Sequence, residues 1–157
     1  MFEIVTTTDL RLEAMEPLRT ESLQEGYKFM ERLCGDWVSG ANRFDNSGEA
    51  LFLAVADSQV VGVCGLNRDP YAHDPRIGRI RRLYVLTAYR RHGVGRALVD
   101  AVVAHARGHF DLLRVRTEAA DKFYTAHGFQ REVSGAEATH ILALKNVTDT
   151  NLTTTAN

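Results

Sequence analysis

Residues 80–97, IRRLYVLTAYRRHGVGRA, combine an apolar strand-like run, a turn carrying Arg90, Arg91, Gly93 and Gly95, and an immediate helix start. Such a turn aims successive backbone N–H groups at one point. Glycine lets that backbone approach a ligand closely, and the helix N-terminus adds partial positive charge, so the chemistry it suits is the holding of a pyrophosphate. Two familiar phosphate-binding loops fail here on specific residues. The magnesium-nucleotide loop ends in Gly-Lys-Ser/Thr, whereas Gly95-Arg96-Ala97 stands in that place with no hydroxyl for the metal. The dinucleotide fingerprint needs a third glycine where Leu98 sits, and it opens a βαβ unit rather than following several antiparallel strands.

A third pattern fits. Arg90-x-x-Gly93-x-Gly95 resembles the Arg/Gln-x-x-Gly-x-Gly/Ala signature of the GNAT N-acetyltransferases. Leu83-Tyr84-Val85 is similar to the end of that family's fourth strand, and Arg96-Ala97-Leu98 to the helix that follows it. Phe123-Tyr124-x-x-x-Gly128-Phe129 resembles the family's FYxxxGF segment, one helix and one strand further on. The order of elements matches across residues 2–145. The resemblance implies acetyl-CoA as cosubstrate and no metal. It implies that backbone N–H groups of Arg91, His92, Gly93, Val94, Gly95 and Arg96 hold the pyrophosphate. Leu83, Tyr84 and Val85 would pair with the pantetheine arm, and one exposed N–H there would polarise the thioester carbonyl. The side chains of Arg90, Arg91 and Arg96 could add charge against the phosphates or could be solvated surface. Tyr124 falls where relatives protonate the departing thiolate, and a phenol of pKa ~10 keeps its proton at neutral pH. Read without the resemblance, Tyr124 could equally be a core aromatic. Thr117 stands where relatives often place an asparagine against the pantetheine, and a hydroxyl lacks the amide's paired donor and acceptor.

An amine acceptor must shed a proton, since an alkylammonium of pKa ~10.4 is about 1 part in 10³ neutral at pH 7. Relatives often use a fourth-strand glutamate through water, but Ile80-Arg81-Arg82-Leu83 offers no carboxylate. Glu118, Asp69, His73, Glu31, Asp36 and His140 are candidates elsewhere, and each could instead be a surface or structural residue. Arg81 or Arg82, turned toward the acceptor, would favour an amine that also bears a carboxylate or phosphate. The expected reaction moves an acetyl group from acetyl-CoA to a primary amine of a small molecule, by direct attack in a ternary complex. The alternatives are a protein N-terminus or lysine as acceptor, a non-catalytic coenzyme A-sensing protein, and a nucleic-acid-binding module built on the arginines between positions 76 and 96.

These groups need elements to hold them. Residues 2–7 are short and β-branched, a strand. Residues 10–27 space their apolar side chains loosely as a helix, which Pro17 is expected to break or kink. Phe29, Met30, Leu33 and Trp37 share one face of a helix over 29–38, and a polar loop follows over 39–48. Residues 50–56 and 60–66 flank Asp57-Ser58-Gln59 as an antiparallel hairpin. Residues 67–76, with Pro70 and Pro75, form a loop before a strand over 80–86. A helix over 94–107, a strand over 112–117, a helix over 119–127 and strands over 129–133 and 139–144 complete the order. The fold class is therefore α+β: a GNAT-type mixed, mostly antiparallel sheet of about seven strands flanked by about four helices. The resemblance also implies that the sheet splays between the 80–86 and 112–117 strands to admit the cosubstrate.

Composition bounds the rest. The chain has 157 residues, 45% hydrophobic and 25% charged, which suits one globular domain over residues 1–147 with a disordered polar tail at 148–157. A net charge of −1 argues against nucleic-acid and membrane-surface partners. Cys34 and Cys64 lack metal-site spacing and fit a reducing, cytoplasmic setting, as does a start without a long apolar run. A homodimer is compatible with all of this.

Overall fold

The computed structural model describes residues 1–133, 135 and 137–144; the expected tail at 148–157 lies outside the described residues. The strands are β1 (Glu3–Thr6), β2 (Ala50–Ala56), β3 (Gln59–Arg68), β4 (Ile77–Val85), β5 (Leu112–Val115), β6 (Gln130–Arg131) and β7 (His140–Ala143). They form a single sheet in the order β1-β2-β3-β4-β5-β7-β6. Every neighbouring pair is antiparallel except β4 and β5, which run parallel. The helices are α1 (Glu16–Gln24), α2 (Phe29–Ser39), α3 (Val94–Ala106) and α4 (Asp121–Ala126). Among the described residues no helix is long and apolar enough to cross a membrane.

Helices cover both faces of the sheet, so β2 reads as the near-continuous apolar run ALFLAVA. Its alternate residues go opposite ways. Phe52, Ala54 and Ala56 join the core under α3 and α4, with Leu98, Val102, Leu113 and Tyr124. Leu51 and Leu53 join the core under α1 and α2, with Met15, Leu18, Met30, Leu33 and Trp37. Pro17 does not kink its helix. It occupies the first turn of α1, where a missing N–H leaves no bond unmade, and a 3₁₀ turn over Leu12–Met15 precedes it.

Two irregularities of β4 shape everything that follows. The first is a bulge. Val63 pairs with Tyr84 and Gly65 with Arg81, so Arg82 and Leu83 together face the one residue Cys64, and Arg82 takes a φ of 63°. The bulge keeps Ile80 and Leu83 on the same face although they are three residues apart. The second is a short ladder to β5. Only Ile77–Leu112, Gly78–Leu113 and Arg79–Arg114 pair, and beyond Arg79 the strands part, as the splayed sheet requires.

Candidate active site

The parting strands leave a cavity of about 370 Å³. Arg79, Ile80, Arg81, Arg82 and Leu83 form one wall, and Val115, Arg116 and Thr117 form the other. Phe29 and Tyr71 flank it on the α1/α2 side, while Ala120 and Tyr124 close it on the α3/α4 side. From Ile80 onward no strand among the described residues pairs with the edge of β4 that looks into this gap.

Tyr124 sits on the single long turn of α4, 3% exposed, with its ring edge-on to Phe123 and Phe129 at 5.1 and 5.3 Å. Those rings fix its direction. Tyr124 lines the cavity, and its hydroxyl has no hydrogen-bond partner among the described residues. Burial pushes the phenol well above its ordinary range, so it stays protonated. Thr117 is held on both sides. Its N–H donates to Thr139 Oγ1 at 2.9 Å, and its own Oγ1 accepts the Ala120 N–H at 3.1 Å just ahead of α4.

At the far end of β4 the chain turns through Arg91 (φ 66°) and Gly93 (φ 82°) into α3. A left-handed residue at the N-cap is where glycine is needed, and a Cβ added to Gly93 would meet nothing within 4 Å, so the space above it is open. The first α3 bond runs from Ala97 N–H to Gly93 O at 3.0 Å, leaving the N–H groups of Val94, Gly95 and Arg96 as the orphan donors of a helix start. Among the described residues no turn bond uses the N–H of Arg91, His92 or Gly93. Gly95 lies close under Phe123, 3.6 Å from where its Cβ would be, which brings the loop against α4. Arg91, His92 and Arg96 are exposed. The Arg90 guanidinium is otherwise engaged. It donates Nε–H to Val85 O at 2.8 Å, lies over the Tyr84 ring, and pairs with Glu25 at 2.8 Å. Tyr84 donates its hydroxyl to the same Glu25 carboxylate, and Thr87 donates to Glu21. The C-terminal turn of α1 thus clamps the strand-to-loop corner.

Residues 47–131 match the family model described as an acetyltransferase (GNAT) domain, more than half of the chain. The chain belongs to the GNAT acetyltransferase family. It is similar to a presumed acetyltransferase of Exiguobacterium sp. 255-15, at 34% identity and a TM-score of 0.85, covering 96% of this chain and 99% of that one. Two more distant structures show the shared fold. One is the Escherichia coli GNAT family N-acetyltransferase YhbS in complex with CoA, at 18% identity, TM-score 0.67, covering 92% of this chain and 82% of that one. The other is the Escherichia coli ribosomal-protein-S18-alanine N-acetyltransferase, at 11% identity, TM-score 0.66, covering 94% and 96%. No curated protein matched the chain. The protein is an acyl-CoA-dependent acetyltransferase with the mostly antiparallel GNAT sheet.

None of the six candidate bases lines the cavity of this GNAT enzyme. Asp69 is buried between Arg79 and Arg114, at 3.5 and 3.2 Å, and also accepts the Tyr71 N–H. Its lone pairs are committed. Asp36 lies 3.7 Å from Arg82, and Glu118 lies 3.9 Å from Arg116 in open solvent. His140 is buried, with its two ring nitrogens on Asp121 and Thr139, each at 2.8 Å. His73 and Glu31 are exposed outside the cleft. The sequence reading does not single out Phe29, Tyr71, Arg116 or the Glu21–Glu25 clamp. Phe29 carries an ordinary core-face signal, Tyr71 sits in an aperiodic loop, and Arg116 lies on the wall opposite the motif.

Proposed function

We propose that this acetyltransferase moves the acetyl group of acetyl-CoA to the primary amine of a small molecule, by direct attack within a ternary complex. The observation that carries this reading is the three-rung β4–β5 ladder opening into a cleft that runs between the two sheet faces, with Tyr124 on one side and the free edge of β4 exposed to it. The residues present suit a coenzyme A thioester: a helix start with orphan donors, an open left-handed glycine, a strand edge without a partner strand and an unpartnered phenol. The N–H groups of Arg91, His92, Gly93, Val94, Gly95 and Arg96 would hold the pyrophosphate. Leu83, Tyr84 and Val85 would pair along the pantetheine arm, helped by the Thr117 hydroxyl, whose proton remains free to donate. Bound there, the thioester supplies an activated acetyl carbonyl. One exposed N–H of that stretch would polarise the carbonyl. Tyr124 delivers its proton to the sulfur as the thiolate leaves. With no carboxylate on the wall, the amine's proton passes to water. A cavity of about 370 Å³ flanked by Phe29 and Tyr71 supports a small acceptor over a folded protein.

The test pairs binding with turnover. Acetyl-CoA is expected to raise the melting temperature, and Gly93→Val to abolish the shift, because a branched residue strains at φ 82° and its side chain fills the space over the donors. An unchanged shift in that variant removes the loop from the binding site. A thiol-release screen of small amines and N-terminal peptides then assigns the acceptor, and turnover of peptides alone overturns the small-molecule reading.

A further inference from the structure

One set of charges in the cleft has no task in this scheme. Gly65 pairs with Arg81, and a Cβ on Gly65 would strike Phe44, so Arg81 shares the sheet face covered by α1 and α2. The rung between Arg79 and Arg114 sets those two side chains together on one face, with Arg81 next along β4. Their neighbours are accounted for. Arg79 and Arg114 both hold Asp69, Arg114 also lies 3.7 Å from Glu137, Arg82 lies near Asp36, and Arg116 near Glu118. Arg81 is half-buried and has neither a carboxylate nor a hydrogen-bond partner among the described residues. The cavity wall carries Arg79, Arg81, Arg82 and Arg116 and no aspartate or glutamate.

Phosphates at the glycine turn do not explain this arginine. The turn begins past Val85, four residues or about 13 Å along the strand from Arg81. It opens α3, on the opposite face of the sheet. We propose that Arg81 selects the acceptor: its guanidinium takes the carboxylate or phosphate of an amine that also carries an anionic group, with Arg116 flanking that group from the opposite wall. This rests on the small-amine reading above. A guanidinium fork meets two oxygens of either anion at once, which fixes where the amine at the other end of the molecule lies. Burial and neighbouring arginines hold Arg79 and Arg82 below their ordinary pKa, and an anion in the cleft relieves that crowding.

Matched acceptors test it by thiol release: an ω-amino acid against the alkylamine of equal length, and phosphoethanolamine against ethanolamine. The expected result is a preference of about 10²-fold or more in kcat/KM for an anionic member, and the pair that shows it decides between carboxylate and phosphate. Arg81→Met and Arg81→Gln should collapse that preference through the acceptor KM and leave the acetyl-CoA KM in place. Arg81→Lys should keep part of it. Equal turnover of neutral and anionic partners by the native enzyme overturns the anionic acceptor and leaves the small-amine reading standing. Turnover of peptides alone overturns both. A preference that survives both Arg81 variants overturns the assignment to Arg81.

Discussion

Tyr124 carries the sharpest expectation at the scale of single residues. Tyr124→Phe keeps the ring that packs on Phe123 and Phe129 and removes only the proton. Turnover should fall about 10²–10⁴-fold with the acetyl-CoA KM retained, since the proton is needed only as the carbon–sulfur bond breaks. Turnover within twofold of the parent, with chemistry rate-limiting, would return Tyr124 to a packing role. Because burial raises this phenol's pKa, the donor form persists above pH ~10, while the amine gains its reactive form as pH rises. A pH–rate profile should therefore climb through pH 9 with no descending limb below about pH 10. Tyr124 was legible in sequence because a contiguous motif frames it. Arg90 was only half legible. Its position in the turn is part of the motif, but its partner Glu25 lies 65 residues away, and no local pattern announces a contact of that range.

Elements meet at that same corner. Glu25, at the end of α1, gathers Arg90 and Tyr84, and the Arg90 guanidinium first and the Tyr84 hydroxyl second hold its carboxyl below the usual range. A carboxyl lowered in the folded state contributes stability above its unfolded value and loses it as pH falls through the folded one. Glu25→Gln should therefore cost about 1 kcal/mol near neutrality, discounted for the partial exposure of both partners, and the gap to the parent should close toward pH 3. Melting curves at pH 7 and pH 3 check it; a constant gap would show that the clamp is not ionic. Such corners explain where sequence reading stops. Among the described residues, four helices and seven strands lie where the sequence pattern puts them, most ends within about three residues, but α1 starts at Glu16 rather than at the start of the 10–27 run. The bulge at Arg82 and the true start of β4 at Ile77 depend on how β3 and β5 lie alongside, and neither leaves a period in the chain.

For the whole molecule, the order of elements was readable and the charge economy of the interior was not. Asp69 looked like a base candidate in an aperiodic loop, yet it is the buried counter-ion joining Arg79 of β4 to Arg114 of β5. Its side chain is 0% exposed, and those of Arg79 and Arg114 are 7% and 16%. Asp69→Asn leaves the buried Arg79 with no carboxylate and the half-buried Arg114 with only the exposed Glu137, so a loss of about 3–5 kcal/mol is expected in denaturant titration. A loss under about 1 kcal/mol would mean that water reaches the pair.

Three rungs and one shared carboxylate are a narrow spine for a sheet of seven strands. Within the sheet the parts on either side, β1 through β4 and β5 with β7 and β6, resemble two covers of a book whose strands pair only along that binding, although the core under α3 and α4 packs against both; the cosubstrate is the page that would lie between them. Occupancy of the gap would then add one more tie between the covers. In hydrogen–deuterium exchange, acetyl-CoA should slow the amides of β5 and β7 more than those of β2 and β3, because the smaller cover has fewer other ties to the rest of the molecule. Uniform slowing across both covers would show that the spine alone already makes them one body.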